Sequence, residues 1–572
     1  MITSAVRVET AGVLKVIASH LHSSSRYVDA RDCATDAVSL QRELAARHTG
    51  VGPVSSSFAR SLRNLGYHLS HLHQYTEALI VTHESISLQR TLASKSDIHA
   101  GELATSLCNA GLTLSHLGRH TESLTYVQEA IRICRPFAHE SPTSTSTLGL
   151  CLCNLGHCLS RMKRYKASQD PIQESVDLHR SLASKEPSIY TERFIFSLIH
   201  KSACYFMLNS YTKALDVIQE TIILCRSLAS ENATTYTCHL ARALRLQGQC
   251  FSYLNQPANS LRTTQESLLM HRSLVSTNPM SYRADLAHVL RNLSHSLIRI
   301  GRYTQSLEIV KESVSLLRPL VAENPGSYTE DLAGALDILG QCLSHLNLHT
   351  ESLDAIEESV SLCRSLVPKD PELYSVSLAL ALSTKGHALW RMDRYVEVLA
   401  VSQEVVSLFR ALTLENPASY TPCLADALSN HAQCLLKLNQ HSKALDVTRE
   451  TVTLYRRLAS EDPALYNVDL ANVLNELGLC FSLQKRHGEA SDVIQESVSL
   501  RGALSTKNPI LHDSNLALAL RDLDLCLPHP SRNTDAGKTM QELVRVSGIP
   551  SSKCQFCTRR NPHRMKFAID IY

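Results

Sequence analysis

Residues 332–367 read LAGALDILGQCLSHLNLHTESLDAIEESVSLCRSLV, and this stretch decides the fold because related stretches recur along the chain. With Gly340 as the anchor, the repeats are anchored at Ala18, Gly66, Gly111, Gly156, Ser202, Gly248, Ser294, Gly340, Gly386, Ala432 and Gly478. From Gly156 onward each step is 46 residues, and the earlier steps are 45 or 48. The chain is therefore a repeat array.

Three residue types keep a fixed distance from the anchor. Nine residues after it lies Tyr or His in ten of eleven repeats, with Pro257 as the exception. Eighteen residues after it lies an acid in all eleven, from Asp36 to Glu496. Six residues further lies Arg in ten of eleven, from Arg42 to Arg456. This register indicates one structural unit that is repeated, because chance similarity does not keep such spacing.

Apolar residues within each repeat recur at intervals of three and four, which is the spacing of amphipathic helices. In the quoted repeat the first half carries Leu332, Leu336 and Leu339, and the second half carries Ile356 and Val360. A short turn separates the halves, and the longer link between repeats carries Pro in most cases, which suits the first turn of a helix. We therefore predict an all-α fold of helix pairs with almost no strand.

The pattern Leu65-Gly66, Tyr75 and Ala78-Leu79 resembles the tetratricopeptide repeat, whose usual unit is about 34 residues. The additional residues amount to about three helical turns. Such long-helix repeats resemble those of kinesin light chain, of fungal tetratricopeptide proteins and of a repeat-bearing subunit of the anaphase-promoting complex. The resemblance covers residues 1–527. It implies a right-handed superhelical solenoid of about eleven antiparallel helix pairs plus a helix centred on Asp524.

Composition narrows the class of protein. The net charge of +3 is too small to predict binding to nucleic acid or to a membrane surface, and no apolar stretch is long enough to span a bilayer. The first residues lack the features of a secretory signal, so we expect a cytoplasmic protein, with the nucleus as the alternative. Six of the eighteen cysteines, Cys158 and Cys250 among them, lie two residues after an anchor, and Cys526 lies two residues after Asp524; this placement predicts buried, reduced thiols.

Sequence motifs for catalysis are missing. The chain has no glycine-rich phosphate loop, nucleophile elbow or His-Glu-x-x-His motif, so we predict that it is not an enzyme and needs no cofactor. Residues 528–572 read as a basic, flexible tail. Within it Cys554, Cys557 and His563 form half of a zinc pattern, which makes them weak candidates for metal binding. A solvated, disordered tail is the favoured interpretation.

In the tetratricopeptide family the first helices line a concave face, and the resemblance implies that anchor offsets near −6, −3, −2, +1, +4 and +5 face it. The candidate groove residues are Arg242, Arg245, Gln249, His288, Arg291, Asn292, His295, Arg299, His345, His387, Trp390 and Arg391. In the repeats anchored at Gly248 and Ser294 these offsets carry no acid, which predicts a positive groove centre. The usual Ser at offset +4 is replaced by Phe206, Ile298, Trp390 and Leu436, which we expect to offer apolar anchors.

These features predict a scaffold that binds other proteins, through an extended, acidic peptide or a partner helix in the concave groove. The alternative function is a regulatory or sensor arm of a larger multidomain enzyme or NTPase, whose catalytic domain lies outside this chain. The alternative role for the groove Arg and His residues is to solvate the inner face and bridge adjacent helices.

Two local predictions follow from the register. Asp170-Pro171 falls inside the second helix of its repeat, so we expect Pro171 to break or kink that helix, with Asp170 as its N-cap. The acids at offset +18 are expected near the Asn residues at offset −2 of the first helix or at the same level of the next repeat. These acids are Glu84, Glu129, Glu174, Glu312 and Glu450, and the Asn residues are Asn64, Asn109, Asn154, Asn292 and Asn430.

Overall fold

A computed structural model describes residues 2–23, 26–47, 53–94, 99–228, 233–507 and residue 519 of the chain. These residues form 22 α-helices and one short 3-10 helix, Arg135–Phe137, and they contain no strand. The all-α prediction is confirmed. The expected helix around Asp524 and the tail residues Cys554, Cys557 and His563 lie outside the described residues.

The chain divides into two compact units, Met1–Cys342 and Leu343–Tyr572. Odd-numbered helices are the first helices of the repeats and even-numbered helices are the second. The first unit contains α1 (Ile2–Ser23), α2 (Tyr27–Arg47), α3 (Pro53–His71), α4 (Tyr75–Ala93), α5 (Ala100–His116), α6 (His120–Cys134), α7 (Pro142–Arg161), α8 (Tyr165–Lys185), α9 (Pro187–Met207), α10 (Tyr211–Leu228), α11 (Ala233–Tyr253), α12 (Pro257–Thr277), α13 (Pro279–Arg299), α14 (Tyr303–Glu323) and most of α15 (Pro325–His345). The second unit contains α16 (His349–Leu366), α17 (Pro371–Arg391), α18 (Tyr395–Glu415), α19 (Pro417–Lys437), α20 (His441–Glu461), α21 (Pro463–Leu483) and α22 (His487–Lys507).

The turn between the two helices of a repeat depends on one residue, seven positions after the anchor, which has a positive φ. Asn occupies this position in four repeats, for example Asn209 at 57°, and Gly118 occupies it at 75°. Asn and Gly reach this conformation at the lowest cost, and the αL residue ends the first helix as in a Schellman motif. The second helix then begins two residues later, at the repeated Tyr or His.

The anchor position is small because the two helices of a repeat cross there. A Cβ added to Gly156 would lie 2.2 Å from Ile172 Cγ1, and one added to Gly66 would lie 2.3 Å from Thr82 Oγ1. A buried hydroxyl also joins the two helices: Ser175 Oγ donates to the Gly149 carbonyl at 2.7 Å. Ser85, Ser267, Ser313 and Ser497 repeat this bond at the same 26-residue separation.

The repeated acid and the repeated Arg pair with each other across adjacent second helices. Arg226 donates to Glu266 at 2.9 Å and Arg272 donates to Glu312 at 2.8 Å. We call these pairs the outer ladder; the others are Arg42–Glu84, Arg90–Glu129, Arg135–Glu174, Arg180–Glu220, Arg364–Glu404, Arg410–Glu450 and Arg456–Glu496. Both partners are partly exposed, so each pair contributes about 0.2–1 kcal/mol.

The prediction that these acids lie near the Asn residues at offset −2 is wrong. The acids lie on the outer side of the second helices, where the Arg of the preceding repeat reaches them. Asn154, by contrast, is buried, and its amide donates to Cys108 Sγ at 3.0 Å.

The predicted helix break at Pro171 is also wrong. Helix α8 runs from Tyr165 to Lys185 with Pro171 inside it, and its N-cap is Arg164 instead of Asp170. Proline removes a single donor, and the carbonyl it leaves is that of Ala167, an exposed residue that water can reach. The apolar residues on the inner side of α8, such as Ile172, hold the helix in place.

The offset +2 cysteines within the described residues belong to the core, as predicted, and Cys526 lies outside those residues. Cys250 and Cys480 are fully buried, and every cysteine in the described ranges has a free thiol. Burial raises the pKa of Cys250 to about 12 and the pKa of Cys480 to about 11. These thiols therefore stay protonated and unreactive at neutral pH.

Candidate binding surface

The first helices of the first unit form its inner side. Neighbouring first helices pack directly on one another, namely α3 on α5, α5 on α7, α7 on α9, α9 on α11 and α11 on α13. The second helices are joined mainly by the long side chains of the outer ladder. A row of helix pairs in which one layer is packed more closely must curve toward that layer. We call the curved surface of the first helices the inner face.

Two acids partly offset the positive charge that the Arg and His residues predicted for the groove centre. Arg242 donates to Asp285 at 2.8 Å, while His288 and Arg291 approach Asp331 at 2.9 and 3.2 Å. Burial alone would raise the pKa of Asp285, but attraction to Arg242 holds it well below the usual range. The inferred groove offsets carry no acid, but these two acids at other positions reduce the positive charge predicted for the groove centre.

Both acids lie nine residues before an anchor, one helical turn beyond the offsets that the resemblance implied. The first helices here are about 21 residues long, so the inner face extends further than in a 34-residue repeat. Arg60 and Glu102 show the same pairing, at 2.5 Å, between the second and third repeats. The signal was available in the sequence as an acid at offset −9.

Arg245 differs from its neighbours on the inner face. Its Nε is buried without a hydrogen-bond partner among the described residues. Burial lowers the pKa of Arg245, Asp285 raises it, and Arg242 lowers it. The guanidinium remains charged at neutral pH because its reference pKa is so high. Arg245 therefore has a buried donor, its Nε–H, that no described residue uses.

Arg299 and Arg391 instead hold the turn of the preceding repeat. Arg299 donates to the Ser252 carbonyl, and its second nitrogen lies 3.4 Å from Asn255 Oδ1. Arg391 likewise donates to Asn347 Oδ1 at 3.1 Å. These contacts match the alternative role considered for the groove residues, in which they bridge adjacent helices.

The remaining candidates are distributed between the two units. In the first unit, Gln249 and Asn292 are half-buried and His295 is buried. In the second, His345 lies 3.2 Å from Arg391 and His387 is exposed.

The four apolar residues at offset +4 do not form an open row. Phe206 is buried in the core, and Ile298 and Leu436 pack against core clusters. Trp390 is half-buried, with its ring edge-on to Tyr395 at 5.1 Å. Of the four side chains, Phe206 is therefore unable to anchor a ligand.

A row of aromatic rings on the inner face was not predicted. Tyr75 stacks on His116 at 4.8 Å, His116 lies 6.2 Å from His157, and His157 lies 5.3 Å from His200. Phe196 ends the row, 4.5 Å from His200. Burial lowers the pKa of His116 to about 3 and the pKa of His200 to about 4, so these imidazoles are uncharged at neutral pH. The row falls at a different offset in each repeat, and so gave no periodic signal.

The early turns of the first unit contact first helices about six repeats further along. Ser281 Oγ donates to the His71 carbonyl at 2.9 Å, and His73 Nε2 donates to the Ser281 carbonyl at 3.1 Å. His73 Nδ1 lies 2.6 Å from the Tyr328 hydroxyl. The Tyr27 hydroxyl lies 3.3 Å from that of Tyr282. We call these contacts the seam.

The described residues contain no group of three or more His, Cys, Asp or Glu side chains arranged to hold a metal ion. No helix in this part of the chain is long and apolar enough to cross a membrane.

Comparison with known proteins agrees with the fold. Residues 103–135 match the family model described as Tetratricopeptide repeat, and residues 153–247 match one described as Anaphase-promoting complex subunit 5. A search of the curated proteins found no match.

Solved structures with a similar fold include the Rap protein complexed with Competence and Sporulation Factor, at 12% identity and a TM-score of 0.40, covering 69% of this chain and 99% of that one. BtubC (BKLC) from P. vanneervenii has 12% identity and a TM-score of 0.36, covering 43% and 91%. The putative kinesin light chain of P. anserina, with nearly identical TPR-like repeats, has 14% identity and a TM-score of 0.32, covering 39% and 98%. At these identities the likeness concerns the fold alone.

Proposed function

We propose that this chain, a member of the tetratricopeptide-repeat family, is a protein–protein interaction scaffold that binds an extended peptide segment on the inner face of its first unit. The segment supplies a carboxylate, and Arg245 receives it. The proposal includes no catalytic activity. A repeat array offers a continuous surface from many helices, which suits a ligand without its own fold.

The Nε of Arg245, which is buried without a hydrogen-bond partner among the described residues, carries the proposal. Arg242 on the same helix and Arg291 at the equivalent position of the next repeat already have Asp partners, at 2.8 and 3.2 Å. A buried donor without a hydrogen-bond partner is costly, and a carboxylate that reached this guanidinium would relieve that cost with strong, charge-assisted bonds. The acidic character of the ligand therefore rests on one residue rather than on a positive groove.

The uncharged rings of the inner face supply the second part of the surface. His157 and His200 offer ring faces together with hydrogen-bonding nitrogens, and Phe196 adds an apolar ring. Such a surface contacts apolar side chains and peptide groups without requiring charge. A segment with an acidic residue and one or two apolar side chains fits both parts.

The test is selection from a random peptide library displayed with one free end. The intact chain should enrich peptides that share an acidic position. Arg245→Glu should weaken their binding by about thirtyfold or more, because truncating a buried charge pair costs about 2 kcal/mol or more. Arg245→Lys keeps the charge but loses the bidentate geometry, and should give an intermediate loss.

Arg226→Glu on the outer ladder is the matched control, because it reverses one arginine on the opposite side of the array. It should leave peptide binding unchanged. Circular dichroism should show equal helicity in all variants. Equal binding by wild type and Arg245→Glu, or loss caused by Arg226→Glu alone, would overturn the proposal.

A further inference from the structure

The seam is periodic, which shows that it is a property of the array and not a single chance contact. Tyr27 meets Tyr282 and His73 meets Tyr328, and both pairs are 255 residues apart. In the next repeat Gly118 meets Gly326. Gly118 and Gly326 are 208 residues apart, as are His73 and Ser281. Three consecutive early repeats therefore contact α13 and α15, five or six repeats later and within the first unit.

Apolar burial supports the hydrogen bonds of the seam. Tyr27, Leu72 and Tyr282 belong to one buried cluster with Leu274 and Cys238. Tyr27, Leu72 and Tyr282 are each less than a tenth exposed. Water is thus excluded from the contact between the early turns and the later helices.

Glycine occurs where the two backbones approach each other. A Cβ at Gly326 would lie 2.5 Å from the Leu117 carbonyl oxygen, and one at Gly118 would lie 2.9 Å from the Gly326 carbonyl oxygen. Both α9 and α15 begin with Pro. The next residue is Ser188 in α9 and Gly326 in α15. Only a residue without a side chain lets the seam close at this point.

Where the early turns contact the later helices, the seam closes the side of the array to a ligand that would enter between them. A ligand then reaches the inner face only from the open ends of the turn, by threading, unless the seam separates. A folded protein whose binding segment is a loop, tethered at both ends, cannot thread.

We propose that the first unit takes a polypeptide segment with a free chain end, and that the seam excludes segments tethered at both ends. This inference rests on the proposed function and names the class of partner it fits: an extended N- or C-terminal tail. The seam contacts carry the inference, because they join the early turns to the later first helices across the side of the inner face.

The test presents one random peptide library in two formats. In the first format the peptides have one free end, and in the second they are inserted into a surface loop of a folded carrier protein. The wild-type chain should enrich binders from the free-ended library and none above background from the loop library. A shared motif enriched equally from both formats would overturn the inference while leaving the proposed function intact.

A seam variant makes the test specific. Gly326→Val places a branched side chain against the Leu117 carbonyl and should separate the seam, so that loop-inserted peptides with the free-ended motif now bind. Ser188→Val is the matched control, since Ser188 is exposed at the equivalent position of α9. The control should behave as wild type, with equal helicity in both variants.

Two further outcomes would also overturn the inference. Enrichment from neither library would overturn the proposed function, and the inference with it. Free-ended binding without any recovery of loop binding in Gly326→Val would show that the seam is not what excludes tethered segments.

Discussion

Lowering the pH should destabilise the first unit through His179. This side chain is fully buried, and its ring lies on Gly149, where an added Cβ would be only 2.7 Å away. Its Nε2 donates to the Ser146 carbonyl at 3.3 Å, and its Nδ1 lies 2.8 Å from Ser197 Oγ. Burial lowers the pKa of His179 to about 4, and the bond to Ser146 opposes that change.

The direction of this pH effect follows from the number of protons that the folded and unfolded states bind. In the unfolded chain a histidine has a pKa of about 6.5, so between pH 6.5 and pH 4 the unfolded state binds more protons than the folded state. Stability is therefore full above pH 6.5 and falls as the pH drops through this window. The two pKa values give a loss of about 2 kcal/mol from this one residue between pH 7 and pH 5.

The assay compares wild type with His179→Gln, which keeps a donor and an acceptor but does not titrate. Urea unfolding is measured at pH 7 and pH 5, with amide hydrogen exchange of peptides from α7, α8 and α9 to report local opening. On acidification from pH 7 to pH 5, the free energy of unfolding of the variant should fall by about 2 kcal/mol less than that of wild type. His20→Gln, at an exposed position of α1, is the control. The same acid-induced loss in wild type and His179→Gln would refute the reasoning.

Three further experiments test the helix crossing, the proline inside α8 and the outer ladder. Gly156→Ala should lower the free energy of unfolding by about 1–3 kcal/mol because its Cβ meets Ile172. Gly12→Ala, with open space around it in α1, should raise the free energy of unfolding by about 0.5–1 kcal/mol. Urea midpoints that move in the same direction for both variants would contradict the crossing contact. Pro171→Ala should stabilise α8 by about 1–3 kcal/mol because it restores a donor to the Ala167 carbonyl, and an unchanged melting temperature would count against this account. Arg226→Ala should lower the free energy of unfolding by less than about 1 kcal/mol, and by less at high salt. A loss of stability that salt leaves unchanged would show that the outer ladder is not screened by solvent.

Features that recur in every repeat could be predicted from sequence, because eleven copies report the same environment. The helix pairs, the small anchor and the buried cysteines at offset +2 belong to this class. The partner of the repeated acid could not be settled in this way, since two helices offer several residues at one height. Arg226 and Glu266 were both identified by their spacing, but the face they share became visible only with the helices in place.

Features that occur once could not be predicted, because they depend on how the array curves. His73 replaces the more frequent Asn at the positive-φ position and bonds to Tyr328, 255 residues away. No periodicity within a repeat connects these residues. The pairing of Arg242 with Asp285 was missed for a different reason: the groove offsets came from a family with shorter helices, which omitted offset −9.

The central claim is that partners bind on the inner face, and site-specific photo-crosslinking tests it most directly. A photoreactive amino acid is placed at Gln249, on the inner face, or at Ser227, an exposed position beside the outer ladder. Each chain is irradiated with a peptide selected from the free-ended library. The account predicts a crosslinked product from the Gln249 chain and none from the Ser227 chain. Crosslinking at Ser227 with none at Gln249 would contradict it.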